Sequence, residues 1–498
     1  MSYLGLDIGT GGCKAVVFNG EGKELASAFR EYPVLYPHPD WAELNPDEVI
    51  GKCFEIIAEV NMKIADPVVS MCISSQGEAF TPIDNNGRAL GNAMVSSDAR
   101  ARDIAEEWSK DFGTGEIYKI TGHTPHPLFT LYKILWVKEN QPNVWESARY
   151  FLCFEDLFHL RAGIEPAISW PLAGRTMLFD VINHRWSSEI LEAAGLSAQK
   201  LARPFAPGEI TGTIDPSIGK KLGFKNPVLL VAGGHDQTCG ALGAGVTEPG
   251  MCMYATGSVE CFCPMLEGPG FSDELQRNNL CCYDYTIKGK YTSVAYSLTG
   301  GNILRWMRDE LGQAEVESAA RTGVNPYTLL LDAMPPEPTG LLVLPYFSAT
   351  GTPYFDTRAK GAIIGLQLST TKGEITKSFL EGVAMEMKLN LKLMEESGMK
   401  IDTFIATGGG TRNNTWTQLK ADVLNKKIIV REVKEAGCYG ASLLARSAVE
   451  NVPVEQLLMD YKGEKLLFSP NPDYAKIYDA KFESYRQLYP VLKQFWKV

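Results

Sequence analysis

The chain has 498 residues, of which 45% are hydrophobic and 21% charged, a composition typical of a folded protein with two large domains rather than of a disordered chain. Its formal net charge of −11 disfavours nucleic acid and anionic lipid as partners. Its longest apolar runs are shorter than the roughly 18 residues that a membrane helix needs. Its cysteines are odd in number and scattered, which suits a reducing compartment, so we expect a cytoplasmic protein.

Strands and helices alternate along the first half of the chain, a pattern that indicates α/β architecture. A helix is predicted from Asn45, where Asn-Pro-Asp-Glu is a helix start signal, and a second one over Phe129–Asn140. The predicted strands are Leu4–Ile8, Ala15–Phe18, Glu24–Ala28, Val68–Ile73 and Val228–Ala232.

The second half repeats this organisation. A strand from Met251, a turn of small residues and a second strand, Val259–Phe262, resemble the opening hairpin of the chain. We therefore predict a duplicated domain, with domains at residues 1–246 and 247–498. Further predicted elements are the strands Leu341–Leu344, Ile363–Leu366 and Asp402–Ala406 and the helices Ile375–Ser397 and Thr415–Leu424.

Four glycine-rich turns are candidate phosphate-binding segments, because glycine lets backbone N–H groups converge on an anion. They are Gly9–Gly12, Thr256–Ser258, Gly300–Gly301 and Gly408–Gly410. Each alone is more often structural, but four in one acidic α/β chain favour a bound phosphate compound. None of them has the spacing of a P-loop or of a dinucleotide-binding fingerprint.

Asp7 lies at the end of the first predicted strand, one residue before its last residue and two before the glycine turn. A carboxylate there would repel phosphate unless a cation lay between them, so Asp7 is a candidate Mg²⁺ ligand. It could equally stabilise its own turn. Lys14, on the returning strand, either reaches a phosphate or lies on a solvated face.

Asp236 follows the end of another predicted strand, Val228–Ala232, with Gly233 and Gly234 before it and Gln237 after it. A carboxylate in this position could take a proton from a substrate hydroxyl, as the base does in phosphoryl transfer to an alcohol. From the residues alone, an N-cap on the helix that begins at Gln237 is the more common explanation.

Several segments between Tyr3 and about Ala448 resemble, in the same order along the chain, motifs of the FGGY family of carbohydrate kinases. They are LGLDIGTGGCKAVVF, GGHDQTCGALGAG, YATGSVECF and ATGGGTRNNTWTQLKADVLNKKI, with PDWAELNP, SSDARA and SWPLAGRTMLFD among the intervening pieces. The resemblance implies a two-domain actin-like ATPase (ribonuclease H-like) fold with duplicated domains. It also implies an ATP-dependent carbohydrate kinase with ATP and Mg²⁺ in the cleft between the domains.

Matched position by position, the resemblance assigns roles to individual residues. Asp236 matches the general base and Gln237 its substrate-contacting neighbour, while Asp7 matches the metal and phosphate aspartate. The positions on the ATP and phosphate side are Asp7, Gly9, Thr10, Lys14, Thr256, Gly257, Gly301, Gly409 and Asn413.

The expected substrate is a sugar or polyol, bound by Gln76, Gly77, Glu78, Asp236 and Gln237. Gln76-Gly77-Glu78 stands where glycerol kinases have Gln-Arg-Glu and xylulokinases have Gln-Met-His, which puts both glycerol and D-xylulose in doubt. Gly77 would leave room for a longer polyol or ketose. Trp41 could stack on the sugar or anchor the surface, and Asp98 with Arg100 could line the pocket or form a structural ion pair.

Two other classes of protein remain as alternatives. A catalytically inactive nucleotide-binding scaffold of the same fold would be expected to lack Asp7 or Asp236, and both are present. An NAD-dependent oxidoreductase would need the missing dinucleotide fingerprint. Relatives in the family are often dimers, so a homodimer is an expectation of the resemblance alone.

Overall fold

The structure is a computed structural model that describes residues 1–433, 435–459 and 464–496. Two large β-sheets, one in each half of the chain, carry helices on their faces. Strands in the first half are β1 (Ser2–Ile8), β2 (Gly12–Asn19), β3 (Glu24–Glu31), β4 (Glu43–Leu44), β5 (Val68–Ser75), β6 (Thr81–Ile83), β7 (Ala93–Met94), β8 (Tyr150–Leu152), β9 (Ala167–Ser169), β10 (Phe179–Asp180), β11 (Arg185–Trp186), β12 (Arg203–Phe205), β13 (Ile210–Thr213) and β14 (Leu229–His235). Strands in the second half are β15 (Gly250–Thr256), β16 (Glu260–Leu266), β17 (Tyr283–Asp284), β18 (Tyr291–Thr292), β19 (Ala295–Ser297), β20 (Leu342–Leu344), β21 (Ala362–Ile364), β22 (Ile401–Thr407), β23 (Lys427–Arg431) and β24 (Lys465–Phe468).

The helices occupy most of the segments between these strands. In chain order they are α1 (Pro46–Met62), α2 (Arg102–Phe112), α3 (Thr114–Thr121), α4 (Thr130–Asn140), α5 (Pro142–Ser147), α6 (Phe154–Arg161), α7 (Trp170–Gly174), α8 (Ser188–Ala194), α9 (Pro216–Lys221), α10 (Asp236–Ala244), α11 (Asp273–Arg277), α12 (Gly301–Trp306), α13 (Gln313–Thr322), α14 (Pro326–Asp332), α15 (Lys372–Glu396), α16 (Asn414–Leu424), α17 (Ala436–Glu450), α18 (Val454–Met459), α19 (Pro472–Tyr485) and α20 (Leu488–Leu492). Short 3₁₀ or π turns cover Ala198–Lys200, Met307–Leu311, Gly409–Arg412 and Lys493–Trp496.

The first sheet has the strand order β13-β14-β5-β1-β2-β3. β1, β2 and β3 form an antiparallel meander, whereas β1, β5 and β14 run parallel. β1 and β5 are buried almost throughout, as expected for strands covered on both faces. The parallel part of the sheet places three carboxyl ends side by side at one edge.

The second sheet repeats this arrangement. β15 and β16 form an antiparallel hairpin, and β15 pairs in parallel with β22, which pairs in parallel with β23. The resemblance between the two hairpins predicted from the sequence is therefore present in the fold. The exact boundary at residues 246 and 247 remains a prediction.

Helices α10 and α17 pack closely against each other, and α17 also packs on β1 and β5 of the first sheet. Glycines allow this approach: a Cβ at Gly243 would lie 1.9 Å from the Ala436 carbonyl oxygen, and one at Gly440 would lie 2.0 Å from that of Cys239. A Cβ at Gly5 on β1 would lie 1.8 Å from the Cys438 carbonyl oxygen. The two halves of the chain thus meet through backbone-to-backbone contacts that only glycine permits.

The predicted elements are found with small shifts at their ends. The long helix begins at Lys372 rather than Ile375, because Thr371 and Glu374 form a capping box. The strand before Asp236 extends to His235, three residues beyond the predicted end, because β14 continues its pairing with β5 through Gly234 and His235. The strand predicted to end at Leu366 ends at Ile364, directly before Gly365, which has φ +99°.

Candidate functional site

The carboxyl edge of the first sheet brings the predicted residues of the first half together. In the register of β1, β5 and β14, Asp7 lies beside Ser74, which lies beside Gly234. The chain leaves β5 through the Gln76 turn and leaves β14 into Asp236. Open α/β sheets bind ligands outside the carboxyl ends of their parallel strands, so this edge is the candidate site.

The first glycine turn is tied to the predicted sugar-binding segment by Gln76. The Thr10 hydroxyl donates to Gln76 Oε1 (3.0 Å), and Gln76 Nε2 donates to the Gly9 carbonyl oxygen (3.1 Å). The Gly9 N–H also bonds to the Gly12 carbonyl oxygen and closes the turn. Lys14 forms an ion pair with Glu435, the residue before α17.

Asp7 is held by the neighbouring strand, since Ser74 Oγ donates to its Oδ1 at 2.6 Å. Burial raises the pKa of Asp7, and the nearby Glu435 carboxylate adds to the effect. Gly437, in the first turn of α17, also approaches this carboxylate: a Cβ there would lie 3.4 Å from Asp7 Oδ1. The second carboxylate oxygen of Asp7 is left free of these contacts, which suits a metal or water ligand.

Asp236 is the first residue of α10, and His235 occupies the N-cap position. No side-chain capping bond is formed there, so the predicted N-cap role of Asp236 is wrong. Asp236 Oδ1 is buried and has no hydrogen-bond partner among the described residues, and the same holds for Gln237 Oε1. These two oxygens are therefore available to a ligand.

The electrostatic surroundings of Asp236 favour proton exchange near neutrality. Burial, together with the charges of Asp7 and Glu78, raises the pKa of Asp236 to about 7. His235 Nε2 lies 3.2 Å from Asp236 Oδ1, but burial holds the pKa of that histidine well below its ordinary value, so the ring is neutral. The Asp236 carboxylate therefore has no cationic partner in this pair.

Arg175 occupies the space beside Gly77. A Cβ on Gly77 would lie 3.2 Å from Arg175 Cβ and Cγ and 3.1 Å from His235 Cδ2. The prediction that Gly77 leaves open room is therefore wrong. The Arg175 guanidinium forms an ion pair with Glu78, whose backbone has φ +64°, an uncommon conformation for a residue other than glycine.

A cavity of about 690 Å³ in the second half brings together the predicted nucleotide-side residues. Thr256, Gly257, Gly301, Gly409 and Asn413 all line it. Additional lining residues are Ser258, Asn302, Leu304, Arg305, Asn325, Tyr327, Thr328, Leu331, Gly410, Arg412 and Trp416. Its volume falls in the range of about 300–1,000 Å³ typical of small-molecule sites.

Hydrogen bonds between turns fix the shape of this cavity. The Gly301 N–H donates to the Gly257 carbonyl oxygen at 2.8 Å, and the Thr256 hydroxyl donates to the Thr407 carbonyl oxygen at 2.8 Å. Asn413 is the N-cap of α16 and accepts from the Trp416 N–H at 2.9 Å. The glycine turns thus form one connected wall.

Other residues of the candidate site were not found by sequence reasoning. Arg175 belongs to the SWPLAGRTMLFD segment, whose familial pattern pointed to it without giving it a role. Arg305 and Tyr327 line the large cavity from α12 and α14. No local pattern marks these two side chains, because only the packing of separate helices brings them to the cavity.

Trp41, Asp98 and Arg100 form a packed cluster. Asp98 and Glu43 both pair with Arg100, whose side chain is only 2% exposed. The guanidinium lies 3.7 Å from the centre of the Trp41 ring, and Trp136 packs edge-on against Trp41. These contacts favour the structural ion pair over a pocket role for Asp98 and Arg100.

Comparisons with known proteins agree with this architecture. The FGGY family of carbohydrate kinases matches the chain with its N-terminal domain at residues 2–243 and with its C-terminal domain at residues 256–449. The chain is 25% identical to a xylulose kinase of Bacillus subtilis, over 98% of this chain and 97% of the relative, and 27% identical to a gluconokinase of the same organism, over 98% and 94%. The crystal structure of a ligand-bound xylulose kinase from Lactobacillus acidophilus superimposes with a TM-score of 0.90 at 22% identity, covering 99% of this chain and 98% of that one.

The family match and the relatives define a phosphotransferase with an alcohol group as acceptor, and the likeness to solved structures shows a two-domain α/β fold. The chain belongs to the FGGY family of carbohydrate kinases. It is an ATP-dependent kinase that phosphorylates a hydroxyl of a sugar or polyol, and its relatives support this function over the inactive-scaffold alternative. Among the described residues, no helix combines the length and the apolar character needed to cross a bilayer.

Proposed function

We propose that Asp236 is the general base that takes the proton from the attacking substrate hydroxyl. The observation that carries this proposal is the buried Asp236 Oδ1, which has no hydrogen-bond partner in the described chain and lies at the carboxyl edge of three parallel strands. A base is most effective when its pKa lies near the working pH, and that of Asp236 is about 7.

ATP would occupy the cavity in the second half of the chain. Its adenosine would lie along Gly409 and Asn413, and its phosphates would extend past Thr256, Gly257 and Gly301. The family match supports ATP as the cosubstrate, and the cavity of about 690 Å³ supports its position. The first glycine turn, with Gly9, Thr10 and Lys14, would receive the γ-phosphoryl group.

Mg²⁺ would be held by Asp7, directly or through water, because Mg²⁺ usually keeps several waters and few protein carboxylates. The carboxylate fits this role, since Ser74 engages only one of its oxygens. The ion would neutralise phosphate charge during transfer. Lys14 is paired with Glu435, so reaching a phosphate would require it to exchange that partner.

The substrate would lie between Asp236 and the Gln76 turn, with Glu78 and Gln237 bonding to its hydroxyls. Glu78 presents its carboxylate beside Arg175, and Gln237 Oε1 is unpartnered, so the site offers acceptors for substrate hydroxyls. We propose a ketopentose-like sugar or a polyol, in keeping with a relative that is named a xylulose kinase.

We also propose a domain boundary between residues 246 and 247, a homodimer and a cytoplasmic location. The eleven free, buried cysteines support a reducing compartment.

The test of the base is an Asp236→Asn variant, assayed by ADP release with Mg·ATP and a panel of polyols, pentuloses, hexuloses and aldonates. We expect kcat to fall by about 10²- to 10⁴-fold, the usual contribution of a general base. Binding of Mg·ATP, measured by calorimetry, should be retained. Asp111→Asn, at an exposed position of α2, is the matched control.

Either of two results would contradict the proposal. Full turnover by Asp236→Asn would show that another group takes the proton. Loss of Mg·ATP binding in a variant with an unchanged melting temperature would place Asp236 on the nucleotide side of the site.

A further inference from the structure

A second cavity, of about 230 Å³, adjoins the proposed sugar site through Arg175. The same side chain that pairs with Glu78 and covers Gly77 also forms part of the wall of this cavity. The other lining residues are Thr124, Pro125, His126, Leu128, Phe129, Asn279, Cys281, Val294, Tyr296 and Phe355. Arg175 packs beside Gly77, Gly77 beside His235 and His235 beside Asp236, so a short series of contacts separates this cavity from the proposed base.

The wall of this cavity is mostly apolar. Leu128, Phe129, Val294 and Phe355 supply hydrocarbon surface. Tyr296 and Phe355 pack edge to face, with ring centres 5.9 Å apart. Such a surface gains from contact with apolar groups and disfavours an unpartnered hydroxyl.

Several polar groups of the wall are already engaged with the protein. His126 Nδ1 accepts from the Leu128 N–H at 3.2 Å, and Asn279 Nδ2 donates to the Pro353 carbonyl oxygen at 2.8 Å. The Cys281 sulfur accepts from the Val294 N–H at 3.3 Å. These three groups are therefore partly used, whereas the buried Thr124 Oγ1 has no partner among the described residues and leaves the wall one place for a ligand hydroxyl.

The cavity also lacks a free cation for an acidic group. Burial lowers the pKa of His126 to about 4, so this side chain is neutral at physiological pH. The charge of Arg175 is balanced by Glu78. A carboxylate or phosphate placed in the cavity would thus find no unmatched positive charge on the described lining residues.

The size of the cavity argues that it takes part of a ligand rather than a separate ligand. Its 230 Å³ lies below the roughly 300–1,000 Å³ of sites that enclose a whole small molecule. A molecule whose reacting hydroxyl faces Asp236 could extend past Arg175 and end in this space.

We propose that this cavity receives a deoxygenated end of the sugar substrate, such as the terminal methyl group of a deoxyketose. The inference rests on the proposed function, because it assigns the far end of a substrate whose hydroxyl reacts at Asp236. Arg175 and Glu78 then hold the polar middle of the sugar, and the residues around Leu128 and Val294 select its end.

The first measurement compares kcat/KM for matched pairs: a ketohexose with its 6-deoxy counterpart and a pentulose with its 5-deoxy counterpart. We expect the deoxy member of a pair to be favoured by about 10- to 100-fold, the range over which an apolar pocket discriminates against an added hydroxyl. Equal rates, or a preference for the hydroxylated sugar or for an aldonate, would overturn the proposal.

The second measurement changes the cavity itself. Val294→Thr replaces a methyl group by a hydroxyl at nearly constant volume and should reduce the deoxy preference several-fold, and Leu128→Asn should do the same. Val491→Thr, at an exposed position of α20, is the matched control and should leave the preference unchanged. An unchanged preference in both cavity variants would overturn the assignment of these residues.

Direct binding separates this inference from the proposed function. Calorimetric titration of the deoxyketoses into Asp236→Asn measures binding without turnover. Tighter binding of the deoxy sugar with no phosphoryl transfer by the wild-type protein would support the cavity and contradict the proposed function, in which the bound sugar is the acceptor. Transfer to sugars without any deoxy preference would support the proposed function and overturn the cavity assignment. Absence of binding would also overturn the cavity assignment.

Discussion

The crossing of α10 and α17 gives the sharpest test of how the fold supports the site. In Gly440→Ala, the added Cβ would lie 2.0 Å from the Cys239 carbonyl oxygen, whereas ordinary contacts begin at 3.4 Å. The helices must therefore separate by about 1.4 Å at this point, because the Cβ is fixed to the backbone of α17 and the carbonyl oxygen belongs to the backbone of α10. Overpacking of this kind costs about 1–3 kcal/mol or more, and we expect a loss at the upper end because no flexible side chain can move aside.

The displacement should also reduce activity, because α10 begins at Asp236. We expect the melting temperature of Gly440→Ala to fall by roughly 5 °C or more, with a lower kcat in the ADP-release assay. Gly51→Ala on α1 is the control: its Cβ would contact nothing within 4 Å, so better helix propensity should stabilise the protein by up to about 1 kcal/mol. A Gly440→Ala protein as stable and active as the wild type would refute the argument that backbone contact fixes this crossing.

Three further outcomes follow from the charges of the structure. Because Asp236 accepts a proton only when ionised and its pKa is raised to about 7, kcat/KM should reach half its maximum near pH 7 and level off only above that pH. A profile that is flat down to pH 5 would contradict this. Asp7→Asn should raise the Mg²⁺ concentration needed for half-maximal rate by about tenfold or more, seen in a Mg²⁺ titration at saturating ATP, and an unchanged requirement would exclude Asp7 as the ligand. Burial raises the pKa of Glu386 to about 7, even though Tyr346 and Tyr485 donate hydrogen bonds to it. The contribution of Glu386 to the free energy of unfolding is therefore complete below its ordinary pKa of 4.5 and is lost as the pH rises through about 7. Glu386→Gln should remove that decline, as measured by melting temperature between pH 4.5 and 8; parallel curves for the two proteins would contradict the assignment.

Much of the fold could be predicted because its signals are local. The strand that carries Asp7, the glycine turn after it and the capping signal at Asn45 each depend on neighbouring residues. The glycine turns at Gly257 and Gly409 were likewise visible, and the structure brings both to one cavity. The ends of several elements were not visible, because a strand such as β14 continues for as long as its neighbour offers pairing.

The identity of the lining residues depended on contacts between distant segments. Arg175 and Glu78 are 97 residues apart, and nothing near Gly77 indicates that an arginine will fill the space beside it. The same limit applied to Asp236, for which an N-cap and a free carboxylate were both compatible with the local pattern. Tertiary packing decided between them by placing His235 at the cap.

The sequence by itself thus determined most of the strands, the glycine turns and the positions of Asp7 and Asp236 near strand ends, because these follow from short-range chemistry. Only the tertiary structure decided which residues shape the sugar site and how the two halves meet. The physical reason is that burial, ion pairing and helix crossing depend on side chains and backbone brought together from opposite ends of the chain, as at Gly5 and Cys438.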